Sequence, residues 1–269
     1  MGYIGIDIGT TNIKIIETDE KLNLKNKIIL EKMAPKNALQ KFIDENNINL
    51  KNIEKIVATG VGTSDIEEKF LNIEIIKVPE FIAIANGGKI VGLDENYIVA
   101  SIGTGTAFIK CQNKEIEHIG GTGVGGGTLI NLCRKIAPNI EFDEINKAIE
   151  EGNLENVDLM IKDITKEDIK TLPKDITAAN FGKLSVQATK EDIIKGIVNM
   201  IFESIGVMAA FAAKGANIKN IVAIGQISKM PYIRQVLDKI EKLHNVKFII
   251  PENSEYMTAI GAVKYCLFT

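Results

Sequence analysis

Apolar positions recur at strand spacing from the start of the chain. Tyr3, Ile4, Ile6 and Ile8 form one run and Ile13, Ile15 and Ile16 a second, so Gly9 to Asn12 reads as the hairpin turn between two strands. The pattern predicts strands at 3–8, 13–18 and 26–31, a helix at 36–46, a strand at 55–59, a helix at 63–70 and a strand at 73–78. A helix over 80–92 is entered through Pro79, placed at its N1 position. A second set opens with strands near 97–102, 106–111 and 115–119, followed by a glycine-rich loop and a helix at 128–137. Residues 139–189 are more polar and include Pro173; they read as an insertion of two or three helices. The chain closes with a helix at 190–214, a strand at 220–224, a helix at 230–243, a strand at 246–250 and a helix at 255–267. This alternation is that of an α/β protein. A strand–glycine turn–strand unit in each half predicts two related lobes, residues 1–94 and 95–269, with a cleft between them.

Composition narrows the class without changing the fold. With 269 residues, 45% of them hydrophobic, the chain can bury one large core or two modest ones. Lys and Arg total 32 against 35 Asp and Glu, and the net charge of −3 gives no electrostatic case for nucleic acid or an anionic membrane. Cys111, Cys133 and Cys266 are odd in number and far apart, which argues against a disulfide framework or a cysteine-rich metal site and fits a reducing cytoplasm. Asp7 interrupts the first apolar run and no basic segment precedes it, so the start does not read as a signal peptide. The most apolar helical stretch, 197–213, carries Asn199 and Glu203, is short for a bilayer and reads as a core helix.

The chemistry concentrates in the turns. Gly9 lets backbone approach a ligand, Thr10 and Thr11 add hydroxyl donors, and successive N–H groups in such a turn form an anion-binding concavity. Lys14 supplies a point charge for phosphates, and Asp7 at the mouth of the turn suits Mg²⁺, which favours one or two carboxylates together with phosphate oxygens. An ordinary glycine hairpin with a solvated Lys and a capping Asp would use the same residues. The turn Gly103-Thr-Gly-Thr106 repeats the arrangement after a buried strand, and two such turns point to a nucleotide held between two lobes. Gly121, Gly123 and Gly126 make a literal G-x-G-x-x-G, with Asp143 beyond, yet the early βαβ unit of a dinucleotide site is replaced by the hairpin at Asp7 to Lys14, so that reading is rejected. The glycines of 120–127 would instead let the backbone lie flat on a ligand and start the next helix with free N–H groups aimed at an anion; a mobile surface loop is the plainer alternative.

Taken in order, Asp7-Ile-Gly-Thr-Thr-Asn-Ile-Lys14, Pro79-Glu-Phe81, Ile102-Gly-Thr-Gly-Thr106, Gly120-Gly-Thr-Gly-Val-Gly-Gly-Gly127, Asp175-Ile-Thr-Ala-Ala-Asn-Phe-Gly182 and Ala259-Ile-Gly-Ala262 resemble the type II pantothenate kinases over nearly the whole chain. Single motifs are shared with the actin, sugar kinase and heat-shock ATPase superfamily, whereas Thr-Ala-Ala-Asn-Phe-Gly at 177–182 together with the long glycine loop is more specific. The resemblance implies two ribonuclease-H-like, actin-like lobes, ATP and Mg²⁺ in the cleft, a homodimer, and phosphorylation of pantothenate, the first step of coenzyme A biosynthesis. It further implies nucleotide binding by Asp7, Ile8, Gly9, Thr10, Thr11, Asn12, Ile13 and Lys14, by Thr104, by Gly126, Gly127, Thr128, Leu129 and Ile130, and by Phe142 near the adenine. Glu80 matches the catalytic carboxylate, which would accept the proton of the hydroxyl being phosphorylated; without the resemblance it reads as a first-turn Glu favoured by the helix dipole.

Two positions depart from the family. His118 stands where an Arg usually helps to hold the acceptor, and an imidazole cannot form the guanidinium fork. Gln226 replaces a small hydroxyl residue and can still donate to a nucleotide. The His118 departure keeps open a kinase of the same fold acting on a sugar or other small alcohol, and the fold also permits an ATP-binding switch protein with no acceptor. Activator ATPases of acyl-CoA dehydratases share the fold but use cysteines at a dimer-bridging cluster, for which the scattered cysteines give no support.

Overall fold

Strand β1 (Gly2–Ile8) is buried along its whole length and sits near the middle of the first sheet. It turns back into β2 (Asn12–Asp19), which pairs with β3 (Leu24–Glu31), giving an antiparallel meander. Helix α1 (Pro35–Glu45) then leads to β4 (Ile53–Thr59), parallel to β1. The segment expected as a helix at 63–70 is instead a 3-10 turn, Val61–Asp65, and a short strand β5 (Lys69–Phe70) hairpinned to β6 (Ile73–Lys77). The cause is local. Gly60 has φ +94°, and a Cβ on Gly62 would fall 2.3 Å from Ile8 Cγ2, so the backbone is pressed against the end of β1. Leu71 and Asn72 then both take positive φ in a two-residue turn, a conformation usually signalled by Asn-Gly. Helix α2 (Glu80–Gly88) follows, with Pro79 as its N-cap rather than its first residue, so Glu80 occupies the first turn.

The second sheet repeats the plan. Strands β7 (Tyr97–Ile102), β8 (Thr106–Gln112) and β9 (Glu115–Thr122) form the meander. Helices α3 (Gly126–Ile136) and α4 (Phe142–Glu151) come next, then a small hairpin of β10 (Leu159–Met160) and β11 (Thr177–Ala179) around the single-turn α5 (Ile161–Ile164). The insertion is therefore part helix and part hairpin. The computed structural model describes residues 1–93, 95–167 and 173–268. Helix α6 (Lys190–Gly215) leads to β12 (Asn220–Ile224), α7 (Pro231–His244), β13 (Lys247–Ile249) and α8 (Met257–Phe268). The sheet orders β3-β2-β1-β4-β6-β5 and β9-β8-β7-β12-β13 match strand for strand apart from the added β5.

Three apolar clusters hold the layers. Ile4, Ile6, Ile8, Ile13 and Ile15 pack with Leu39 and Phe42 of α1 on the outer face of the first sheet. The second sheet packs on α6, whose Ile201, Phe202, Ile205 and Ala209 are buried. That helix is longer than the 197–213 run and by length and composition could cross a membrane; its apolar face is instead committed to this core. Between the sheets, Tyr3, Val57, Val99 and Val222 meet residues of α2 and α8 in a shared core. The two helices cross at backbone contact, since a Cβ on Gly261 would lie 2.0 Å from the Ala83 carbonyl oxygen.

Candidate active site

Both glycine turns lie at the ends of their sheets and face one cleft of about 900 Å³. Among the residues expected to bind nucleotide or acceptor, Asp7, Gly9, Thr10, Thr11, Asn12, Lys14, Glu80, Thr104, Gly126, Gly127, Leu129, Ile130, Phe142 and Gln226 line it. Ile8 and Ile13 do not. They are the register pair that closes the first hairpin, and their side chains are fully buried under α1, so the cleft sees only the turn they hold. Thr128 also turns away: its hydroxyl donates to the Gly123 carbonyl and accepts from the Gly125 N–H, capping α3 from behind. His118 lies outside the cleft lining on β9, exposed, with its ring stacked on Phe81 at 4.3 Å and an interplanar angle of 7°.

The charged centre follows from strand register. Asp7 and Lys14 face each other across β1 and β2, so both side chains emerge on the same face, with Lys14 Nζ 3.6 Å from Asp7 Oδ2. Burial pushes the Asp7 carboxyl above the ordinary carboxylate range, against the opposing pull of Lys14. Glu80 is raised as well, first by burial and then by the Asp7 charge, while Lys14 again opposes. Two acids and one ammonium thus share the end of the cleft where β1, β2 and α2 converge. Among the described residues no group of three or more His, Cys, Asp and Glu gathers to hold a metal alone. A single carboxylate beside a glycine turn does fit Mg²⁺, an ion that takes one or two carboxylates and fills its remaining positions with phosphate oxygens and water.

The glycine loop works differently from the sequence expectation. The first N–H groups of α3 are not free: Gly126 donates to the Gly103 carbonyl at 2.8 Å and Gly127 to the Thr104 carbonyl at 3.0 Å. A Cβ on Gly125 would lie 2.7 Å from Gly105 and Thr104 backbone atoms, and one on Gly121 would lie 2.7 Å from the Thr106 carbonyl oxygen. The glycines are therefore required because two backbones lie on each other, which fixes the second turn against the start of α3. Gly123 meets nothing within 4 Å.

Across the cleft the two turns touch directly. Thr11 and Thr104 hydroxyls are 2.9 Å apart, and Asn12 Nδ2 donates to Gln226 Oε1 at 3.0 Å. Several lining residues escaped the sequence reading, among them Lys32, Arg134, Glu141 and Thr258. Lys32 brackets the first turn, its backbone N–H donating to the Thr11 carbonyl and its ammonium to the Gly9 carbonyl, both at 3.0 Å. The signal for it was present, since β3 returns alongside β2 with Glu31 opposite Asn12. Arg134 lies 3.8 Å from Glu141, beside Phe142. The 177–182 motif lies outside the cleft lining. There Asp158 accepts from the Phe181 N–H at 2.8 Å, and Asn180 donates to Glu203 at 2.8 Å.

The sequence model of the Fumble family matches residues 95–264. The chain is 30% identical over 272 residues to a type II pantothenate kinase of Staphylococcus epidermidis, covering 97% of this chain and 98% of that one. It is 28% identical over 273 residues to the type II pantothenate kinase of Staphylococcus aureus strain USA300, with the same coverage of 97% and 98%. In fold it is similar to the activator of the 2-hydroxyisocaproyl-CoA dehydratase from Clostridium difficile with bound ADPNP (TM-score 0.69, 19% identity, 99% and 94% of the two chains). A ROK family glucokinase from Streptomyces griseus in complex with glucose and AMPPNP is similar too (TM-score 0.60, 12% identity, 98% and 99%). Identities this low bear on the fold alone. Burial pushes the thiols of Cys111 and Cys133 up to about 11 and about 12, so neither resembles an exposed cluster ligand.

Proposed function

The chain belongs to the Fumble family, and from that premise we infer that it is a type II pantothenate kinase. It transfers the γ-phosphoryl group of ATP to the primary hydroxyl of pantothenate, giving 4′-phosphopantothenate and ADP, the first step of coenzyme A biosynthesis. The observation that carries the reading is the meeting of Glu80, Asp7 and Lys14 in one cleft with both glycine turns. Phosphoryl transfer asks the protein for alignment, charge neutralisation and a proton acceptor.

The residues divide that work. Backbone N–H groups and hydroxyls of the two turns, with Thr104 and Lys14, hold the phosphates. Phe142 lies near the adenine, as the resemblance implies, and Ile130 and Gln226 line the same cleft and contact the nucleotide. Asp7 is the residue that would hold Mg²⁺, which would neutralise phosphate charge. Glu80 takes the hydroxyl proton, and its upward shift brings a carboxylate closer to the working pH of a general base. His118, stacked on Phe81 outside the cleft lining, does not take the place of the Arg that the resemblance expects to hold the acceptor. The family resemblance supports a homodimer, and three cysteines free of disulfides support a cytoplasmic setting.

The test is ADP release from Mg·ATP with pantothenate and with a panel of sugars. Stimulation by pantothenate, with phosphopantothenate identified by mass, is expected; stimulation by a sugar alone would overturn the acceptor. Glu80→Gln is expected to lower kcat by about 10²–10⁴-fold while retaining ATP binding by calorimetry, and an active variant would remove Glu80 from the role of base.

A further inference from the structure

Behind Asp7 stands a group that the mechanism above leaves unused. Thr59, the last residue of β4, is fully buried, and its hydroxyl has no hydrogen-bond partner among the described residues. Buried hydroxyls are nearly always paired, so one left open calls for a reason. Strand register supplies the setting, because Thr59 is the parallel partner of Asp7. Side chains in register on neighbouring strands leave the same face of the sheet, about 5 Å apart.

The two oxygens of Asp7 differ in their surroundings. Oδ2 faces the Lys14 ammonium at 3.6 Å. Oδ1 faces the chain just after Thr59, where a Cβ on Gly60 would fall 2.8 Å from it. Gly60, at φ +94°, thus gives the 59–60 backbone room to lie against the carboxylate. On the far flank of β4, β6 ends at Lys77 and is followed by buried Val78, which offers the hydroxyl no polar side chain.

We propose that Thr59 is a positioning residue whose hydroxyl donates to Oδ1 of Asp7 while that carboxylate engages a divalent cation. This rests on the reading of Asp7 as the cation-holding residue. A cation draws negative charge onto the cleft side of the carboxylate, and a fixed donor behind it selects one rotamer, as outer-sphere hydrogen bonds do at metal sites.

A second orphan hydroxyl provides the control. Thr18, near the end of β2 away from the cleft, is also fully buried and unpartnered, and it lies opposite Tyr3 rather than an acid. Thr59→Val and Thr18→Val remove the same group at the same burial, and Thr59→Ser keeps the hydroxyl. The measurement is calorimetric titration of Mg²⁺ into the protein mixed with a non-hydrolysable ATP analogue. Loss of a hydrogen bond to a charged group predicts that Thr59→Val needs about tenfold more Mg²⁺ for half-saturation. Thr59→Ser should restore the wild-type value and Thr18→Val should match it, with thermal melts confirming that all three fold. A Thr59→Val titration within twofold of wild type, or a failure of Ser to rescue, overturns the proposal. Pantothenate-dependent ADP release by the wild type is read separately. Its absence alongside an intact Thr59 effect would defeat the acceptor reading and leave this one standing.

Discussion

Glu80 is held in the fold at a cost in stability. It ends in a cleft where burial and the charge of Asp7 both oppose its ionisation, with only Lys14 pulling the other way. A carboxyl whose folded pKa is raised adds stability that is complete below its unfolded pKa and is lost as pH rises through the folded value. For Glu80 and Asp7 alike the loss comes on the alkaline side of the ordinary carboxylate range. Glu80→Gln mimics the protonated acid, so its Tm should exceed that of wild type at pH 8, and the gap should close toward about pH 4, where wild-type Glu80 is itself protonated. A gap that stays constant between these pH values would mean that the gain comes from something other than charge. At this scale Asp7 and Lys14 could be chosen because the type of each residue suits a task at a turn, whereas Glu80 by type reads only as a first-turn Glu and was singled out by the family resemblance; the structure brings all three to one cleft. Lys32 could not be chosen by type alone, since only the pairing of β3 with β2 brings its ammonium to Gly9. Ile8 and Ile13 were included with the motif that contains them, and their alternation with Asp7 and Lys14 was the sign that they point into the core.

At the scale of elements, the glycine loop shows how composition can be right about importance and wrong about cause. Its glycines were expected to lie against a ligand, yet most lie against the second turn, and the α3 N–H groups expected to meet an anion are bonded to the carbonyls of Gly103 and Thr104. This separates two substitutions that look alike in sequence. Gly125→Ala places a methyl group 2.7 Å from backbone that cannot yield without moving the turn, and should cost about 1–3 kcal/mol in urea unfolding and weaken ATP binding together. Gly123→Ala enters open space and should leave both within about 0.5 kcal/mol of wild type. Equal effects of the two would show that the packing of α3 on the turn is not what the glycines are for. Most other element positions were legible because strand and helix periods differ clearly. The failure at 63–70 came where a positive-φ pair was built from Leu71 and Asn72, and where the close approach of Gly62 to Ile8 overrides local preference.

The whole molecule joins its lobes in two unlike ways. Far from the cleft they share an apolar core in which α2 and α8 are wedged between the sheets, a contact that stays closed because opening it would expose buried side chains. The repeat of strand order in the two sheets was foreshadowed by the two glycine turns, whereas the return of α8 onto β1 and β4 depends on tertiary packing that no local pattern records. At the cleft itself the bridges across the turns are polar: Thr11 with Thr104, and Asn12 with Gln226. Such bonds are each worth about 0.5–1.5 kcal/mol net, enough to bias a hinge and too little to lock it. They also use hydroxyl and amide groups of the kind that bind phosphates, so an ATP analogue bound between the turns should compete with the bridges. Gln226, where a small hydroxyl residue is usual, is long enough to reach the opposite lobe. Gln226→Ala should therefore raise amide hydrogen exchange in the 9–12 and 103–106 turns of the nucleotide-free protein by about twofold to tenfold. Residues of the shared core should exchange as before, and an ATP analogue should bring both proteins to the same protection, because phosphates then tie the turns together. Unchanged exchange in the empty variant would show that the lobes are held by their shared core alone, and that the Asn12–Gln226 bond follows closure without favouring it.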